Sequence, residues 1–214
     1  MFDARLRSLI DPPLQAAGRR IARAGIPADA VTITGFAFGL IAALAIANGL
    51  FLVGLALIAL NRAFDGLDGA VARALPGDAE PGPSASGPSD RGGYLDIVLD
   101  FVFYGAVPLA FAVADPARNA LAAAVLLFTF TANGSAFLAF AVFAERRKLA
   151  TAAQGPKSLY YLSGLAEGGE TIAAFMLMCL VPAWFPAIAA AFAMVCGLSA
   201  AARIVLAASL LGPD

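Results

Sequence analysis

No histidine occurs anywhere in the 214 residues. That absence excludes a histidine general base, a histidine metal ligand and any Ser-His-Asp triad. Cysteine is almost as scarce. Cys179 and Cys196 are the only two, both in apolar runs and without CxxC spacing. They read as small buried hydrophobes rather than zinc ligands or a disulfide framework. Charge is the third deficit: 14% of residues are charged and 61% hydrophobic, where a soluble domain usually has about 25% and about 45–50%. The net charge of −1 offers no basic face, so no nucleic-acid partner is expected. What the chain does have is apolar sequence in runs of about 20 residues, the length that crosses a hydrocarbon core about 30 Å thick. The class this predicts is an integral membrane protein.

Six spans are expected, near 31–49, 50–73, 93–114, 119–144, 158–181 and 184–208. They make an all-α membrane domain over 31–208, between a juxtamembrane segment at 1–30 and a tail at 209–214. Short turns fall around Gly49, at 115–119 and at 182–186. The other connectors are longer and polar: a flexible Pro/Gly/Ser-rich loop at 74–91, and 145–157. Arg5, Arg7, Arg19, Arg20 and Arg23 precede the first span, Arg91 lies in the first long loop, and Arg146, Arg147, Lys148 and Lys157 lie in the second. The opposite side has only Arg118. The positive-inside rule therefore predicts cytoplasmic termini and cytoplasmic long loops. The arginine-bearing N-terminal stretch has no uninterrupted apolar core, so it is not read as a signal peptide. Broken by Pro12 and Pro13, it reads as a topogenic flank, as an amphipathic helix on anionic lipid, or as both.

Charges at membrane depth are costly, and they mark function or buried pairing. "NRAFDGLDGAVAR" (61–73) and "GGYLDIVLDF" (92–101) carry four aspartates. On helices, Asp65 and Asp68 are i,i+3 neighbours and Asp96 and Asp100 are i,i+4 neighbours. Asp65, Asp68, Gly69 and Ala72 share one arc, with Arg62 and Arg73 at its edge, and Gly92 aligns with Asp96 and Asp100. Two antiparallel helices would point all four carboxylates at one place. They cannot all stay ionised there uncompensated, and a divalent cation with oxygen ligands, Mg²⁺ above all, supplies the missing charge. Small residues at Gly69, Ala72 and Gly92 serve either helix packing or the close approach of a ligand.

The run Asp65-x2-Asp68-Gly69-x2-Ala72-Arg73, followed by Gly92-x3-Asp96-x3-Asp100, resembles the signature of the class I CDP-alcohol phosphotransferases, membrane enzymes of phospholipid synthesis. The connector 74–91 is longer than is usual in that family. The resemblance implies six spans, a cytoplasmic site, a homodimer, and transfer of a phosphatidyl-type group from a CDP-linked lipid, CDP-diacylglycerol foremost, to an alcohol with release of CMP. It implies two Mg²⁺ ions, with Mn²⁺ a possible substitute, on Asp65, Asp68, Asp96 and Asp100, and it makes Asp100 the general base. It places the CDP and phosphate groups near Asp65, Gly69, Ala72, Arg73 and Gly92, with Ser89 as a further phosphate contact. Asp29 and Thr32 of "ADAVT" resemble the family's cytidine-side residues, though an N-cap is the plainer role for them. A bacterial inner membrane suits so compact a chain.

The acceptor is not legible. Glu167 and Glu170 form a second acidic pair, read either as part of an acceptor pocket or as ion-pair partners of Arg62 or Arg203. Arg146 and Lys157 either receive a phosphorylated acceptor or only set the orientation. Asn133 is expected to make an interhelical hydrogen bond. Intramembrane acids also occur in divalent-cation and proton-coupled transporters. Against that class, the four aspartates gather at one end of their spans and leave no polar path across.

Overall fold

The computed structural model describes residues 2–74, 90–147 and 168–211, with side chains from residue 12 onward. Among these residues every regular element is helical. The helices are α1 (Phe2–Arg23), α2 (Ala28–Ala47), α3 (Phe51–Ala74), α4 (Asp90–Ala114), α5 (Pro116–Arg146), α6 (Gly168–Leu180) and α7 (Phe185–Leu210), with a 3₁₀ turn at Pro182–Trp184 before the last.

Local chemistry sets the ends. Gly25 and Gly49 take φ of +75° and +76°, the left-handed backbone that closes a helix C-terminus. After α2 the Gly49 amide donates to the Ile46 carbonyl and the Leu50 amide to the Ala45 carbonyl, both at 2.9 Å. The Asp115 carboxylate caps α5 by accepting from the Arg118 amide at 3.2 Å, and Pro116 follows at the first helical position.

Among the described residues, four elements are long and apolar enough to cross a membrane: α2, α4, α5, and the continuous Pro182–Leu210 segment. The second expected span is a 24-residue helix, α3, whose C-terminal half carries Arg62, Asp65, Asp68 and Arg73. That charge keeps it out of the four. The fifth expected span is described only over α6, a short apolar helix.

Three sequence expectations need correction. The N-terminal segment is not broken at Pro12 and Pro13, because α1 runs through both. Both prolines are exposed. Arg91 is not in a loop: α4 begins at Asp90, and the Arg91 Nε lies 3.3 Å from Asp29 Oδ2. The Asn133 Oδ1 is buried with no hydrogen-bond partner among the described residues.

Residue contacts divide the chain into two units, Met1–Leu44 with Val53–Tyr104, and Ala45–Leu52 with Gly105–Asp214. In the second unit α5 and α6 pack on α7. Its core is aromatic: Phe111 stacks on Phe185 with centroids 4.4 Å apart and on Phe51 at 5.5 Å, while Phe130 meets Phe175 and Phe192 edge-on. Cys179 and Cys196 are free and buried there, as the sequence implies. Large apolar side chains such as Leu121 (79% exposed) and Phe128 (73%) face outward, a surface that suits lipid better than water.

The first unit holds α1, most of α2 and α3, and the start of α4. Its helices touch backbone to backbone where glycine permits. A Cβ on Gly18 of α1 would stand 2.7 Å from the Ala70 Cβ of α3, and one on Gly35 of α2 would stand 2.8 Å from the Phe64 Cβ. These approaches bring α2, α3 and α4 close enough for their polar side chains to meet.

Candidate functional site: a carboxylate-lined cavity

One open cavity in the first unit is lined by Thr32, Gly35 and Phe36 of α2, by Asn61, Arg62, Asp65 and Asp68 of α3, and by Asp96, Leu99, Asp100 and Phe103 of α4. All four aspartates singled out in the sequence share it. The helical periodicity that aligns each pair on its own helix is the local cause, and the close packing of the helices brings the pairs together.

The polar groups form one network. Arg62 Nη2 donates to Asp100 Oδ1 at 2.7 Å, and Nη1 lies 3.4 Å from Asp65 Oδ2. Its Nε donates to Asn61 Oδ1 at 3.0 Å, and the Asn61 amide donates to the Gly35 carbonyl at 2.8 Å. The Tyr104 hydroxyl donates to Asp100 Oδ2 at 3.1 Å. Separately, the Thr32 hydroxyl donates to Asp68 Oδ2 at 2.7 Å. The guanidinium carbon of Arg62 is 5.5 Å from the centre of the Phe103 ring, within cation–π range.

Arg62 therefore stands inside the cluster and not at its edge. Its side chain is 19% exposed, and its acidic partners among the described residues are Asp65 and Asp100. Four carboxylates line the cavity with one guanidinium, so full ionisation leaves 4 − 1 = 3 negative charges in excess. The donors are hard oxygens, the set that suits Mg²⁺ or Mn²⁺. Among the described residues, however, no three carboxylates converge closely enough to grip an ion as the side chains stand. The geometry shows why: Asp100 is turned to Arg62 and Tyr104, and Asp68 to Thr32. The donor set fits a divalent cation in charge and in ligand type.

Other expected residues lie beyond the cavity lining. Gly69 and Arg73 belong together, since a Cβ on Gly69 would stand 3.3 Å from the Arg73 guanidinium. Ala72 and Gly92 also lie outside the lining. Asp29 is in the first turn of α2 and pairs with Arg91. Because α2 starts at Ala28, neither Asp29 nor Thr32 is its N-cap. Glu170 and Arg146 are exposed, and Arg146 lies 6.0 Å from the Phe143 ring. Ser89, Lys157, Glu167 and most of the 74–91 loop lie outside the described residues. The sequence reading missed Asn61 and Tyr104. Tyr104 carries a signal, four residues after Asp100 on one helix face, and Asn61 is a buried amide (4% exposed) in an apolar stretch.

The chain is 43% identical over 204 residues to the inner membrane protein YnjF of Escherichia coli strain K12, covering 95% of this chain and 94% of that protein. No family model matches the chain. No solved structure matches it.

Proposed function

The chain belongs to the family of the Escherichia coli inner membrane protein YnjF, and we propose that it transfers a phosphatidyl-type group from a CDP-linked lipid to an alcohol in the bacterial inner membrane, releasing CMP. The observation that carries this reading is the single cavity lined by Asp65, Asp68, Asp96 and Asp100. Those four aspartates belong to the sequence run that resembles the CDP-alcohol phosphotransferase signature. A site at the cytoplasmic ends of α3 and α4 can take a nucleotide from the cytosol while the donor's acyl chains stay in the lipid.

In this account Asp65, Asp68 and Asp96 offer oxygen ligands to Mg²⁺ or Mn²⁺. A metal held there would supply charge to offset the diphosphate and the departing CMP. Asp100 takes the proton from the acceptor hydroxyl. The acceptor oxygen forms a bond to the lipid-bearing phosphorus, and the bond from that phosphorus to CMP breaks, CMP leaving with the electron pair. Thr32 orients Asp68 through its hydroxyl. Arg73, whose guanidinium reaches over Gly69, offers a fork for phosphate oxygens on the nucleotide side.

The test is CMP release from CDP-diacylglycerol by protein purified in detergent with Mg²⁺, against a panel of polyol, amino-alcohol and phosphorylated-polyol acceptors. Release is expected with at least one acceptor. It should disappear on chelation of the metal and fall by about 10²–10⁴-fold in Asp100→Asn, the usual worth of a positioned proton acceptor. Protein that neither binds the CDP-linked lipid nor releases CMP would contradict the proposal and bring a divalent-cation transporter forward.

A further inference from the structure

We infer that Arg62 is a built-in cation that holds Asp100 until a divalent metal ion takes its place. The inference rests on the metal-binding reading of the cavity and goes beyond it.

The guanidinium is held on every side that can hold it. Its Nε is fixed by Asn61, which is itself anchored on the Gly35 carbonyl. One terminal nitrogen bonds Asp100 and the other approaches Asp65. One face lies over Phe103. Arg62 thus joins a carboxylate of α3 to one of α4, as a shared metal ion would. In the same arrangement no three carboxylates converge among the described residues, and Asp100 is turned to the arginine. A guanidinium and a divalent cation want the same oxygens and repel each other. Each therefore weakens the other's hold on Asp100. The arginine keeps the metal-free cavity from collecting uncompensated negative charge, and it must yield Asp100 before that carboxylate can serve a metal or accept a proton.

The sign of the effect separates this role from a purely structural one. Mn²⁺ alone serves as the probe, with binding read from the loss of the free-ion electron paramagnetic resonance signal in the absence of nucleotide, and with the Mn²⁺-induced rise in thermal midpoint as a second reading. Arg62→Gln is purified with Mn²⁺ present throughout, so that its carboxylates are never without a counter-charge, and is then exchanged into titration buffer. Competition predicts that R62Q binds Mn²⁺ about tenfold more tightly than wild type and gains more thermal stability from it. Arg62→Lys keeps the positive charge in the cavity and should bind within about threefold of wild type. Equal or weaker binding by R62Q, or a clear loss in R62K, would mean that Arg62 builds the carboxylate arrangement instead of competing for it, and would overturn the inference while the metal reading stands. No Mn²⁺ bound by wild type or by either variant would overturn both.

Discussion

A single side chain decides how the cavity is wired. Asn61 bonds the α2 backbone at Gly35 and the Nε of Arg62 at once. Replacing it with leucine removes the bond to the Gly35 carbonyl and leaves the half-buried Arg62 Nε without its partner, which costs about 1–3 kcal/mol for the group left unsatisfied. Asn61→Leu is therefore expected to lower the unfolding midpoint in detergent. A leucine variant with unchanged stability would show that the amide is not bonded as described. At this scale the sequence was legible where chemistry runs along one helix. The i,i+3 and i,i+4 spacings of the four aspartates, and the i,i+4 step from Asp100 to Tyr104, can be counted from the chain. The bonds between Thr32 and Asp68 and between Arg62 and Asp100 cannot. They join residues 36 and 38 positions apart, and only the packing of α2, α3 and α4 brings them together.

At the level of elements, the close approach of α1 to α3 at Gly18 is the most demanding contact of the first unit. A Cβ there would meet the Ala70 backbone at 2.8 Å as well as its side chain, and backbone cannot swing aside. Gly18→Leu is expected to cost about 1–3 kcal/mol by overpacking, read as an earlier thermal transition, and an unshifted transition would place α1 elsewhere. Helix stops were partly readable: Gly49 closes α2 as its residue type demands, whereas the turn expected at 115–119 shrinks to Asp115 because α5 already begins at Pro116, and the one at 182–186 ends where the last helix begins at Phe185. The misreadings came from rules that context overrides. Pro12 and Pro13 do not stop α1. The Arg91 charge looked like loop sequence, yet it lies in the first turn of α4 facing Asp29. The charged half of α3, marked in the sequence by its aspartates, does line the cavity together with α2 and α4.

For the molecule as a whole, the membrane class was evident from the long apolar runs and the low charge, and the four membrane-length helices agree with it. A relative named for the inner membrane, alike over nearly the full length of both chains, fits the same setting. The acceptor stays illegible for a physical reason: its recognition depends on shape and on a few polar contacts, and the residues put forward for it, Glu167, Glu170, Arg146 and Lys157, share no spacing that names a substrate. The central claim is that the cavity transfers a group between oxygens and does not merely bind cations. Its most direct test follows ¹⁸O from the hydroxyl of whichever acceptor promotes CMP release, with mass spectrometry of the extracted lipid. The account predicts one new phosphodiester lipid per CMP, with the label retained in it. CMP formed without a labelled lipid would mean hydrolysis by water, and no CMP with any acceptor would contradict the transfer outright.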